Sequence, residues 1–314
     1  MYALLALSAT ILTSLLPILN KRILRDTRPA LVAWAINACS LPILAIGTLL
    51  LTQCRFTPLH NDGPFSCTMP LPHIDVIFLA ALLASVVLNW AATLLSTYAL
   101  AKVDASLVSP LLSFNPAFTL LVAWLTLHEM PGPIQTIGIL VILLGAYLLE
   151  VEEARMGFLA PLRMLARQPG TVLAIIASAL WGTTTVLEKL AIEHMSPPSG
   201  PFVALAGTFL MVVLLTPNAF LLPRKTEAAA QQGTWSGLRA HLRALALAIL
   251  ISGIAPLFGF TAIATGLVGD VTALFKLSAV FTILWAWLFL GESNIRQRLL
   301  GAAMMIVGGA LVAV

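Results

Sequence analysis

The sequence predicts an all-α integral membrane protein in which ten transmembrane helices form two inverted five-helix repeats. Three observations carry that expectation. The 314 residues are 60% hydrophobic and only 10% charged, with a mean hydropathy of +0.99, whereas a soluble domain carries about 25% charged residues. Apolar runs recur ten times, each near the roughly 20 residues that a bilayer-spanning helix needs. The second half of the chain also repeats the first in register.

In order, the runs lie at 2–20, 31–52, 75–99, 105–127 and 133–150, then at 171–192, 201–222, 244–265, 270–290 and 297–314. Turn-forming or charged residues separate them. Residues 1–150 are thus read as the first repeat, 151–170 as a cytoplasmic interfacial linker and 171–314 as the second repeat. In the linker, Arg155, Arg163 and Arg167 alternate with Met156, Phe158, Leu159, Leu162 and Leu165. That pattern suits a helix lying on the membrane surface, bent at Pro161. Met1 runs directly into apolar sequence with no basic region and no A-x-A site, so the first run reads as a retained span.

A shift of 163 positions lays Ala99–Leu148 over Ala262–Leu311 without a gap, and fifteen of the fifty columns are identical. Glu129 falls on Glu292, Trp124 on Trp287, Gly138 on Gly301 and Gly145 on Gly308. Shared lipid-facing composition would match apolar letters, but not a Glu, a Trp and two glycines together. A repeat of five spans has odd length, so its second copy enters the membrane upside down. Inverted repeats of this kind characterise secondary transporters, with the substrate held between the repeats.

These residues resemble a known family. The segments Tyr98–Lys102, Asp104–Pro116, Leu125–Glu129 and Gly138–Gly145, repeated in Leu288–Glu292 and Gly301–Gly308, look like EamA units of the drug/metabolite transporter superfamily. Trp181-Gly182 resembles the family's opening helix. The resemblance implies a membrane carrier for metabolites such as amino acids, sugars or amines. It also raises an alternative, a lipid-carrier flippase or a structural membrane protein of the same fold.

Basic residues set the expected orientation. Fourteen of the 17 Lys and Arg lie in odd-numbered loops, Arg55 alone lies in an even-numbered loop, and Lys189 and Lys276 lie within spans. Lys and Arg near span ends favour the cytoplasm. The count therefore predicts a multi-pass protein of the plasma (inner) membrane with both termini outside, whereas better-studied relatives in the family keep theirs inside. Cys54 and Cys67 then share an external loop, where a disulfide persists; two free thiols are the alternative. Cys39, inside an apolar run, reads as a small core residue.

Ionisable and amide side chains inside spans are the candidate site, because their cost in lipid is usually offset by a cavity or a partner. Lys276 lies six residues into the ninth run, where Asp270 is too far round the helix to pair with it and positions 272, 273, 279 and 280 carry no charge. Its charge suits an anionic or zwitterionic ligand, with snorkelling or a structural ion pair as the plainer reading. Ser113 is its repeat mate, and Asn115 precedes Pro116 where a proline frees backbone for a cavity. Asn89, Trp90 and Asn37 offer amide and aromatic contacts, though buried Asn also bridges helices. Glu188 is the leading carboxylate for proton coupling; with Lys189 it matches Asn20-Lys21 at a shift of 168, and snorkelling span ends are the alternative. The glycines at 138, 145, 301 and 308 read as a packing stripe.

The chain has no H-E-x-x-H, G-x-S-x-G or G-x-x-x-x-G-K-[ST] and no C-x-x-C, so neither an enzyme nor a metal site is expected. No cofactor and no nucleic-acid partner are expected either. Its partners would be a small-molecule substrate and the lipid bilayer. Two pseudo-symmetric repeats can complete a pathway in a monomer.

Overall fold

A computed structural model describes residues 1–23, 29–52, 54–55, 66–67, 72–102, 111–153, 169–220, 241–290 and 295–313. The first half holds α1 (Tyr2–Thr13), α2 (Leu16–Ile23), α3 (Pro29–Thr52), α4 (Val76–Lys102), α5 (Asn115–Leu127) and α6 (Pro133–Glu153). The second holds α7 (Pro169–Glu193), α8 (Gly200–Phe220), α9 (Leu242–Thr265), α10 (Val268–Phe275), α11 (Ser278–Leu290) and α12 (Ile295–Ala313). In hydrocarbon every backbone polar group must be satisfied internally, which leaves helix as the form for these runs. Proline begins α3, α6 and α7, where its missing N–H costs no helical bond.

Six segments are long and apolar enough to cross a membrane: Tyr2–Asn20, Leu31–Leu51, Val76–Ser96, Pro169–Glu193, Gly200–Pro217 and Leu242–Thr265. Asn115–Leu127, Pro133–Leu148 and Leu300–Ala313 are shorter apolar helices. The multi-pass membrane character of the chain follows. Large apolar side chains such as Leu51, Val76, Leu140 and Ile306 stay more than half exposed and form the surface that faces lipid.

Three runs expected as single helices are interrupted. The first breaks between α1 and α2, where Pro17 is the second residue of α2 and can donate no backbone bond. In the fourth, a turn at 113–114 precedes α5, whose second residue is Pro116. The ninth turns at 276–277, which is position 113–114 shifted by 163. No proline explains that turn. There the backbone tightens into i→i−3 bonds: Lys276 N–H donates to Ala273 O (3.0 Å) and Leu277 N–H to Leu274 O (3.1 Å). Such 3₁₀ passages within a helix often mark hinges.

The two halves meet on a seam of glycines. A Cβ on Gly138 would lie 2.8 Å from Gly308 O, and one on Gly145 would lie 2.8 Å from Gly301 O. The pairing rises along α6 as it falls along α12, so these repeat-mate helices cross antiparallel. This is the contact expected of one repeat inverted against the other. The main core lies beside it, joining Phe78, Ile139, Ile142, Val186, Val271, Leu274 and Met305.

Two short strand pairs complete the described structure. Strands β1 (Cys54–Arg55) and β2 (Ser66–Cys67) pair with Cys54 opposite Cys67. Strands β3 (His73–Ile74) and β4 (Met195–Ser196) join the halves, with His73 opposite Ser196. The linker at 154–168 and most of the basic loop residues lie outside the described residues.

Candidate functional site

A cavity of about 220 Å³ lies between α3, α4, α7, α8 and α9, drawing on both halves of the chain. Asn37 and Asn89 enter it from the first half, and Glu188, Gly207, Thr208 and Phe260 from the second. Each polar group is set by its own helix. Asn37 donates its Nδ2 to Ala33 O one turn back at 2.8 Å, which leaves its Oδ1 as an acceptor. Asn89 Oδ1 accepts the indole N–H of Trp181 at 3.1 Å, which leaves its NH2 as a donor. Glu188 is partly buried, and among the described residues its carboxylate has no hydrogen-bond or ion-pair partner. It is also the only ionisable side chain among the cavity's described lining residues.

Polar ties between the halves gather at one end of the helix assembly. Glu129 follows α5, where His128 takes a left-handed conformation (φ 53°) that turns the chain out of the helix. One Glu129 oxygen pairs with the Lys189 ammonium on α7, and the other accepts the Val268 N–H at 2.9 Å, at the start of α10. A carboxylate at a helix N-terminus meets unsatisfied N–H groups and the positive end of the dipole. Lys189 also donates to Gly266 O at 2.6 Å. Beside this group, Tyr2 OH donates to Asp270 Oδ2 and to Val312 O, both at 3.2 Å. At the same end, Asp75 Oδ1 caps α4 through the Phe78 N–H (2.8 Å), while Oδ2 meets His194 Nδ1 at 2.9 Å. These two bonds, the Phe78 N–H first, hold the Asp75 carboxyl below the usual carboxylate range.

Of the residues picked out in the sequence, Asn37, Asn89 and Glu188 are brought together around the cavity. Trp90 is half-buried and does not line it; the indole beside Asn89 belongs to Trp181. Ser113 is buried and Asn115 half-buried at the turn before α5, and the Asn115 Oδ1 is buried without a hydrogen bond. Lys276 is half-buried at the matching turn in the second half, away from the cavity lining, and it is not without a partner. The absence of a counter-charge on its own helix therefore does not reserve it for a ligand.

Cys39, expected in the core, is exposed, and Lys189 departs from the snorkelling alternative. It does not snorkel: only 7% exposed, it is held by Glu129 and the Gly266 carbonyl. Sequence reasoning also passed over Trp181, Thr208 and the pairing of Tyr2 with Asp270. The alignment of Glu129 with Glu292 served there only as evidence of the repeat.

Comparison with known proteins supports this architecture. No curated protein matches the chain by sequence. A crystal structure of another protein, 16% identical, superposes with a TM-score of 0.71 over 100% of this chain and 98% of that one, which shows a common fold. A family model for EamA-like transporters matches twice, over residues 1–151 and 168–314, nearly the whole chain. The chain accordingly belongs to the EamA-like transporter family, within the drug/metabolite transporter superfamily.

Proposed function

We propose that the chain is a secondary transporter that moves a small polar metabolite by alternating access around the cavity between α3, α4, α7, α8 and α9. The observation that carries this reading is Glu188, a carboxylate without a partner among the described residues, set in a cavity built from both repeats. A lone carboxylate at membrane depth is costly, and a proton or a ligand ammonium offsets that cost. The polar ties between the halves at one end support the reading too. Rocking of one repeat against the other would exchange which side is shut.

Ten spans fit the chain best, with repeats at 1–150 and 171–314 joined by an interfacial linker at 151–170. Residues 2, 75, 129, 194, 266–270 and 312 meet at one end, as ten alternating spans require. The excess of basic residues in the odd loops supports an outside position for that end, in a plasma (inner) membrane protein. One chain supplies both repeats, so a monomer suffices. Lys276 raised the expectation of an anionic or zwitterionic substrate, but it lies away from the cavity lining and gives that class no support. Within that class the cavity favours a zwitterion, its ammonium against Glu188 and its acceptor end toward the Asn89 amide. Ser113, Asn115 and Lys276 act at the two turns rather than in the cavity wall.

The test is counterflow of metabolites in liposomes carrying the purified protein, beside a labelled-lipid translocation assay. Solute flux that Glu188→Gln abolishes in a correctly folded protein is the expected result. Movement of labelled lipid alone would replace the carrier with a flippase. Flux unchanged in Glu188→Gln would remove Glu188 from the mechanism.

A further inference from the structure

We infer that Asp270 is a proton site. Its carboxyl carries a proton and heads a buried chain that runs through the Tyr2 hydroxyl to the Val312 carbonyl, and a second cavity supplies the proton. The inference requires no transport cycle, and it concerns an acid outside the cavity that holds Glu188.

Hydrogens are too few for an ionised Asp270. The Tyr2 oxygen lies 3.2 Å from both Asp270 Oδ2 and Val312 O, and a phenol has one hydrogen to give. Val312 has the stronger need of it. It is the last residue but one of α12, where carbonyls lack a partner within the helix, and at 0% exposed it is out of reach of bulk water. With that hydrogen on Val312 O, an ionised Asp270 would keep two bare oxygens, since its Oδ1 is buried without a hydrogen-bond partner. A proton on Oδ2 turns the first contact round. The carboxyl then donates to the Tyr2 oxygen and Tyr2 donates to Val312 O, so each hydrogen has an acceptor. Only a neutral carbonyl oxygen stays bare, which costs less than a bare anionic one.

The surrounding charges agree. Asp270 is 2% exposed, and an unpaired charge so buried is neutralised rather than kept. Lys189 and Glu129 lie within electrostatic range of it, but they form one neutral pair, with the ammonium committed to Glu129 and to the Gly266 carbonyl. The amino group of Met1, His128 at the end of α5 and Glu193 at the end of α7 belong to exposed residues, where water screens them. Among the described residues α6, α9 and the last turn of α12 bring only uncharged side chains to this region, Gln135 among them. The dipole of the eight-residue α10 favours charge in its first turn, but it is weak beside the cost of burial.

Tyr2 and Asp270 both line the second cavity, of about 380 Å³. Exposed Glu193 and Thr265, at the ends of α7 and α9, border it, which gives water a route to the carboxyl.

Infrared spectroscopy reads the proton directly, through the C=O stretch that a neutral carboxyl shows and a carboxylate lacks. The purified protein in liposomes is recorded at neutral pH, unlabelled and with carbon-13 in its aspartate carboxyls. We expect a carboxyl band that the label shifts, that Asp270→Asn removes and that Glu188→Gln leaves in place. Heavy water should move it as the proton exchanges through the cavity, and Tyr2→Phe should shift it because the chain loses its middle member.

Absence of a label-sensitive band, or a band that survives Asp270→Asn, overturns the inference and leaves Asp270 ionised with Tyr2 as its donor. So does a band that appears only when N-methylglucamine chloride replaces sodium chloride, which would make this a metal-cation site. A band that heavy water does not move overturns the supply from the cavity, and one that Tyr2→Phe does not move overturns the chain. If Asp270→Asn fails to fold, Asp270→Glu decides: the band must leave the aspartate set and appear with labelled glutamate. None of these readouts depends on solute flux, so the proton site and the transport reading stand or fall separately.

Discussion

The Thr119 hydroxyl donates to the carbonyl of Gly182 at 3.2 Å, tying α5 of the first repeat to α7 of the second. Its counterpart lies elsewhere in the molecule. Thr282, 163 positions after Thr119, donates to the carbonyl of Ser14, 168 positions before Gly182, at 2.9 Å. The repeat that relates the two halves in sequence thus extends to an individual side-chain hydrogen bond. Each bond joins an opening helix to the broken span of the opposite half.

The close approach at Gly182 yields the first prediction. A Cβ there would stand 2.7 Å from Asn115 O and 2.8 Å from Thr119 N, both backbone atoms that cannot swing aside. Gly182→Ala should cost about 1–3 kcal/mol of stability, the usual range for overpacking. At Gly207 the nearest atom is Leu82 Cδ1 at 3.7 Å, an ordinary contact, so Gly207→Ala should leave the melting temperature nearly unchanged. Equal melting temperatures for the two variants would refute the contrast.

Removing one member of a buried pair harms more than removing both. Lys189→Met leaves Glu129 charged and mostly buried, with the Val268 N–H as its remaining partner. We expect a loss of about 3–5 kcal/mol. The double variant Lys189→Met/Glu129→Gln should recover part of that loss. Thermal unfolding of the purified proteins measures both, and a double variant less stable than Lys189→Met would contradict the pairing.

Asp75 gives a pH dependence of defined sign. Its carboxyl lies below the ordinary value of 3.8 because the charged form accepts from the Phe78 N–H and then from His194. Its contribution to stability is complete above the ordinary carboxylate range and disappears as pH falls through the lowered folded-state value. Asp75→Asn should therefore melt below the parent at neutral pH, with the gap closing on acidification. A gap that stays constant from pH 7 to pH 3 would show that the charge contributes nothing. Because the group is exposed, added salt should narrow the gap as well.

The register of β1 and β2, with Cys54 opposite Cys67, suits a disulfide in a loop expected outside the cell. Mass analysis with and without reductant should show a two-hydrogen difference. The crosslink would contribute roughly 3 kcal/mol on the chain-entropy account. Full thiol labelling of unreduced protein would exclude the bond. Reporter fusions check the side independently: those after Arg28 and Lys225 should report cytoplasm, and one after Asp62 the exterior.

Much of this architecture was legible because lipid imposes a plain code. Apolar runs and the glycines at 138, 145, 301 and 308 follow from the bilayer and from close helix approach. The uninterrupted helices end within three residues of the expected bounds. Asn37, Asn89 and Glu188 stood out as polar letters in apolar text. Their neighbours were hidden, because contacts across helices are not written locally: Trp181 reaches Asn89 across 92 positions. For the same reason the ninth span alone could not show what surrounds Lys276, and no proline announced its turn. The pair of Lys189 with Glu129 needed both span ends placed at one end of the molecule.

The cavity carboxylate has no acidic twin. Where the second half carries Glu188, the repeat places Asn20 in the first, an amide whose buried Oδ1 lacks a hydrogen bond. Joining two copies in one chain allowed these mates to diverge, which identical subunits could not do. The two halves of the proposed transport cycle would thereby be electrically unequal. On the proposed coupling role, one acid among the cavity's described lining residues would bind one proton there, and a stoichiometry set at Glu188 would stop at one charge per turnover. Restoring the twin, with Asn20 changed to an acid, would be a change in the arithmetic of coupling rather than in the fold.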